Sequence, residues 1–238
     1  MKITTVLFDL DGTLLPMDQD QFMKAYFGGL AKKMAPHGYD PDLLIKAIWA
    51  GTAAMVKNDG TRTNKVAFWE VFSSILGERI RGDEHLLEEF YQTDFPHAVA
   101  ASCGCDARAH AIVKDLCDRG FCVVLATNPL FPRIATEARI RHAGLQTDDF
   151  AFFTTYENAC YCKPNLDYYR EILCKIGKDP AECLMVGNDV EEDMIAESVG
   201  MKVFLLSDCI ISRENKDLSG IPSGSFPELL ACIEALNT

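Results

Sequence analysis

The chain changes its hydrophobic rhythm twice. A near-continuous apolar run, Ile3 followed by Val6-Leu7-Phe8, stops abruptly at Asp9. Such runs suit a central strand of a parallel sheet, covered by helices on both faces. From about residue 18 to residue 100 the spacing becomes helical. Phe22, Tyr26, Leu30 and Met34 recur every four residues, and Leu43, Leu44, Ala47, Ile48 and Met55 fall on one face. Val66, Phe68, Trp69, Phe72, Ile75 and Leu76 do the same, and a fourth segment carries Leu86, Leu87, Phe90 and Tyr91. Amphipathic stripes of this kind predict a helical bundle whose aromatic and Met positions form its own core.

From Ala107 the pattern turns to alternating helix and strand. Helices are expected near 107–119, 132–143, 165–176 and 190–199, each followed by a glycine that can end it: Gly120, Gly144, Gly177 and Gly200. Strands are expected at 121–126, 150–154, 183–186 and 202–206. This is the βαβ rhythm of a parallel sheet, which the first strand must join across the helical insertion. The fold class is therefore α/β, a Rossmann-like parallel sheet core with an inserted α-helical cap. The core takes residues 1–15 and 101–238 and the cap takes 16–100. Ser219 to Ser225, rich in Gly, Pro and Ser, reads as a surface loop.

Composition narrows the function classes. A formal net charge of -12 over 238 residues disfavours nonspecific binding to nucleic acid or anionic membrane, since both demand a surplus of Lys and Arg. Met1-Lys2 leads straight into the first strand and no run approaches the length of a membrane span, so a cytoplasmic protein is expected. Ten cysteines are scattered without a Cys-x-x-Cys pair, which favours reduced, structural thiols over a zinc site.

The candidate chemistry begins where the first strand stops, at Asp9-Leu10-Asp11-Gly12-Thr13-Leu14. Ligands bind at the carboxyl ends of strands in open α/β sheets. Residues two apart on an extended segment point the same way, so Asp9 and Asp11 share one small site while Leu10 turns into the core. Two carboxylates that close ask for a divalent cation or a shared proton. Later strand ends and loops add Thr127-Asn128, then Lys163 before Pro164, then Gly187-Asn188-Asp189 with Glu191, Glu192 and Asp193. Parallel strands bring all of these to one edge of the sheet.

In this order the four segments resemble the motifs of the haloacid dehalogenase-like hydrolase superfamily, and the likeness runs from residue 6 to about 206. The insertion resembles that family's first-type cap. The resemblance implies that Asp9 is a nucleophile forming an aspartyl-phosphate and that Asp11 is the general acid and base. It further implies that Thr127 and backbone N–H groups near Leu10 and Asn128 hold phosphoryl oxygens, and that Lys163 neutralises charge. Mg2+ would lie between Asp9, the backbone carbonyl of Asp11 and the fourth motif. In many relatives an Asp stands directly after the strand-end glycine, where this chain has Asn188. The remaining ligand set is therefore Asn188 with Asp193 or Asp189 with Asp193.

Asp11 argues for phosphoryl transfer, because relatives that cleave carbon–halogen bonds lack this second aspartate. The expected activity is a Mg2+-dependent phosphatase acting on a small phosphorylated metabolite, as a monomer or homodimer. A sugar-phosphate mutase using the same Asp9, or a catalytically silent binding protein, are the alternatives. Asp18, Gln19, Gln21 and Lys65 are polar positions on or beside the cap helices that could reach the cleft, though a solvated face accounts for each of them.

Overall fold

The computed structural model describes residues 2–214 and 217–238. Met1, expected to lead into the first strand, and residues 215 and 216 of the expected core lie outside the described residues. Six parallel strands form one sheet among these residues: β1 (Thr5–Phe8), β2 (Cys122–Leu125), β3 (Phe152–Phe153), β4 (Cys183–Gly187), β5 (Lys202–Leu206) and β6 (Ser223–Gly224). Their order is β3-β2-β1-β4-β5-β6, which sets β1 in the middle between β2 and β4. Both faces of β1 are covered, as its apolar run requires. Val6 and Phe8 pack with Val123, Leu125, Leu184 and Val186 on one side. Leu7 packs with Val124 and Met185 on the other.

Between β1 and the next core helix lie six helices: α1 (Gln19–Met34), α2 (Pro41–Val56), α3 (Asn64–Leu76), α4 (Arg79–Gly82), α5 (Glu84–Thr93) and α6 (Phe95–Ser102). Side-chain caps start the three longest. Asp18 accepts from the Gln21 N–H, Asp40 from Leu43 and Thr63 from Val66, each satisfying an otherwise orphaned donor. The expected stripe residues Phe22, Tyr26, Leu30 and Met34 are buried together with Trp69, Phe72 and Phe90 in a cluster of their own. No helix among the described residues is long and apolar enough to cross a membrane.

The sheet is flanked by α7 (Ala107–Asp118), α8 (Arg133–His142), α9 (Leu166–Ile176) and α10 (Phe226–Asn237). Three expectations need correction. The strand expected at 150–154 is regular only at Phe152–Phe153, although Ala151 and Thr154 still donate to Val123 and Leu125 of β2 at 2.8 and 3.1 Å. The helix expected at 190–199 is a turn followed by a 3-10 helix, Met194–Val199. There the Asp189 carboxylate accepts the N–H groups of Glu191 and Glu192 as an N-cap would, and Asp193 accepts that of Asp189, but the chain beyond closes tighter bonds, the Ala196 N–H reaching the Asp193 carbonyl three residues back at 3.2 Å. Finally, Ser223–Gly224, expected as loop, pairs with Leu205 and Leu206 and forms the edge strand.

Candidate active site

Three strand ends and one loop meet above β1. Asp9 follows Phe8 directly, and its N–H is held by the Val186 carbonyl of the neighbouring strand at 2.9 Å. The Lys163 ammonium donates to Asp9 Oδ1 at 2.8 Å and to Asp193 Oδ1 at 2.6 Å. All three side chains are nearly withdrawn from water. Burial alone would lower the Lys163 pKa, but Asp193 and Asp9 override it and hold the ammonium well above its ordinary value. A fixed positive charge thus sits beside the Asp9 carboxylate. The Lys163–Pro164 peptide is cis.

Glycine is required twice to bring these groups together. Gly12 has φ +86°, and a Cβ there would lie 2.4 Å from Asn188 Nδ2. A Cβ on Gly187 would lie 2.0 Å from Asp193 Oδ2. Gly187→Ala is therefore expected to dislodge Asp193 and cost about 1–3 kcal/mol, the usual penalty of overpacking. Urea unfolding beside wild type checks it, and an unchanged midpoint would show that the strand end yields without strain.

Asp11, two residues beyond Asp9, faces the same space. One of its oxygens is paired with Arg139 of α8, a fully buried guanidinium that also lies 4.6 Å above the Phe131 ring. Its other oxygen, Oδ1, is buried with no hydrogen-bond partner. Burial raises the Asp11 pKa from the usual carboxylate range, with Arg139 opposing and Asp9 adding to the rise. A carboxyl group so placed has an oxygen free to exchange a proton with whatever enters.

A cavity of about 180 Å³ at this edge is lined by Asp9, Asp11, Thr127, Asn128, Asn188, Asp189 and Asp193. Seven of the nine expected site residues meet there. Lys163 lies behind them, gripping two of the carboxylates, and the Leu10 side chain is buried in the sheet core, leaving only its backbone near the site. The Thr127 carbonyl is fixed from behind by the hydroxyls of Thr154 and Tyr168, at 2.5 and 2.9 Å. Asn128 donates to Glu192 at 3.0 Å.

The oxygen donors are unequally free. Asp193 has one oxygen on Lys163 and the other on the Asp189 N–H. Asp189 has Oδ1 on two N–H groups and Oδ2 on Arg213 at 2.7 Å. Asn188 donates its amide N–H to the Cys209 carbonyl, which turns Oδ1 toward the Thr13 hydroxyl, 2.9 Å away. That hydroxyl is 3.4 Å from Asp9 Oδ2. Among the side-chain oxygens of Asp9, Asn188, Asp189 and Asp193, Asp9 Oδ2 and Asn188 Oδ1 are thus the least committed, their contacts being with the Thr13 hydroxyl. Among the described residues no three His, Cys, Asp or Glu side chains are grouped as a metal cage.

Arg139 and Arg213 were not expected from the sequence. Arg139 falls on the same helix face as the buried Ala135, four residues before it, and a lone cation on an apolar face is a signal for a buried partner. Arg213 lies outside any regular element and carries no comparable signal.

The class is defined by a buried carboxylate at the end of a central parallel strand, braced by a lysine and flanked by a second carboxyl. The chain belongs to the haloacid dehalogenase-like hydrolase family, whose model matches residues 3–197. A phosphatase of this family from Thermococcus onnurineus is 20% identical over 100% of both chains, with a TM-score of 0.60. A 2-haloacid dehalogenase from Pseudomonas syringae is 20% identical over 98% of each chain, with a TM-score of 0.64. A family hydrolase from Bacillus subtilis, solved with magnesium bound, is 17% identical over 98% of this chain and 99% of that one, with a TM-score of 0.54. At these identities the likeness is one of fold. Comparison with curated proteins finds no match.

Proposed function

We propose that this hydrolase is a phosphatase that cleaves phosphoric monoesters through Asp9. The observation that carries the reading is Asp11: a half-buried carboxyl beside the nucleophile, anchored on one oxygen by Arg139 and unpartnered on the other. An alkoxide leaving group needs a proton, whereas a halide needs none.

In the first step an Asp9 oxygen attacks phosphorus and the bond to the ester oxygen breaks, while Asp11 delivers its proton to that oxygen. In the second step Asp11 takes a proton from a water that attacks the same phosphorus, releasing phosphate and restoring Asp9. Lys163 stays protonated through both steps and balances the charge that gathers on Asp9 and the phosphoryl group. Thr127 and the backbone N–H groups near Leu10 and Asn128 would orient the phosphoryl oxygens.

Mg2+ fits the donors present. Asp9 Oδ2, Asn188 Oδ1 and the Asp11 carbonyl would hold it, with Asp193 positioning Lys163 and Asp189 bracing the turn. Mg2+ habitually takes one or two carboxylates and fills its other positions with water and phosphate oxygens. When bound it would neutralise charge between the carboxylate and the incoming dianion. The magnesium-bound relative from Bacillus subtilis supports this reading. The interdomain movement revealed by that relative's structure supports a helical insertion that acts as a cap here.

The test compares leaving groups. Asp11→Asn is expected to lower kcat/KM for an alkyl phosphate, which reports formation of the aspartyl-phosphate and not the second step that all esters share, by about 10²–10⁴-fold, the usual contribution of general acid catalysis. The loss should be much smaller for p-nitrophenyl phosphate, whose phenolate leaves without a proton. Equal losses on both esters would deny Asp11 the role of acid. Chloride release from 2-chloropropionate without phosphate release from any ester would replace the phosphatase with a dehalogenase.

A further inference from the structure

We propose that the substrate is a phosphate monoester of a bulky apolar alcohol or phenol, its organic group seated in an aromatic chamber among α1, α2, α3 and α5. The proposal rests on the phosphatase reading above and adds the chemical class of the leaving group. The chamber encloses about 880 Å³, within the range of pockets that surround drug-sized ligands and far more than a phosphate needs. Phe22, Tyr26, Trp49, Phe68, Trp69 and Tyr91 contribute most of its aromatic wall.

Its position follows the chemistry. Asp11, Gln19, Leu130 and Arg213 line both the chamber and the small cavity at Asp9, so the two spaces adjoin at Asp11. The oxygen that Asp11 would protonate is the one that joins phosphorus to carbon. With phosphorus toward Asp9, the carbon side of that oxygen projects into the chamber.

The cations that line the chamber are each paired with a carboxylate. Lys65 pairs with Glu84 at 3.1 Å, Arg133 with Glu137 at 2.7 Å and Arg213 with Asp189 at 2.7 Å. The hydroxyls of Tyr26 and Tyr91 hydrogen-bond each other at 3.0 Å. A second phosphate would have to break these pairs to find a cation. An aromatic or branched apolar group meets ring faces and displaces water instead.

The closing experiment has two readouts. The first is kcat/KM for a series of straight-chain alkyl phosphates from ethyl to octyl, with 2-naphthyl phosphate and glucose 6-phosphate. The rate is expected to climb by up to about fourfold for each added methylene that becomes buried, and glucose 6-phosphate should fall below the longer esters. The second readout is tryptophan emission on titration with 2-naphthol, which has no phosphate. The chain has two tryptophans, and both line the chamber. Naphthol should quench them saturably and compete with p-nitrophenyl phosphate.

Hydrolysis of p-nitrophenyl phosphate with no dependence on chain length, or with no quenching and no competition by naphthol, overturns the apolar substrate and leaves the phosphatase intact. Saturable quenching with no turnover of any ester overturns the phosphatase reading and the substrate with it, and leaves an apolar ligand site.

Discussion

Asp9→Asn is expected to cut turnover of p-nitrophenyl phosphate by at least about 10³-fold, the scale on which losing a covalent nucleophile is felt. The amide keeps the size of the carboxylate and retains an oxygen that can accept from Lys163. Lys163 also keeps its 2.6 Å contact with Asp193. The variant should therefore fold, with a urea midpoint close to wild type, so that the missing activity is chemical. Residual turnover above about one part in a hundred would hand the nucleophile's part to another group.

Lys163→Met should act the other way round, through stability as well as rate. Removing the ammonium leaves Asp9 and Asp193 buried with no cation at 2.8 and 2.6 Å. Breaking a buried ion pair by deleting one partner costs about 3–5 kcal/mol. Urea unfolding without added metal measures it. A second change that removes the stranded charge, Asp193→Leu in the same chain, is expected to return part of the loss, because contacting residues do not add independently. No recovery would show that Lys163 stabilises by packing alone.

The sheet was legible because its strands are buried on both faces. Val6-Leu7-Phe8 has no alternation to mislead, and Gly120, Gly144, Gly177 and Gly200 end their segments with positive φ. The departures have local causes. Between 190 and 199 the Asp193 side chain is tied to Lys163 and to the Asp189 N–H, and the chain beyond it closes three-residue bonds in place of an α-helix. The edge strand at Ser223–Gly224 has no apolar signature, because pairing with Leu205 and Leu206 needs only its backbone.

Site residues borne on motifs were read at their strand ends, whereas Arg139 was not. Its partner Asp11 is 128 residues away in sequence, and only the packing of α8 against the first loop brings them together. The aromatic stripes of the insertion were read as core. Phe22 and Tyr26 are indeed buried in it, yet they also wall the chamber. Periodicity reports which face is apolar and says nothing of whether that face is filled. Gln19 reaches both cavities and Lys65 the chamber, while Asp18 caps α1.

The small cavity holds more carboxyl groups than cations. Asp9, Asp11, Asp189, Glu192 and Asp193 line it, with burial pushing Asp11, Glu192 and Asp193 toward their protonated forms, and Lys163, Arg139 and Arg213 are cations among the described residues that pair with them. A phosphate dianion drifting toward Asp9 would meet repulsion at close range, where low dielectric and little water make it count. Two positive charges delivered at Asp9 and Asn188 would reverse the field at the entrance. Admission of the substrate would then be set by the cation as much as the chemistry is.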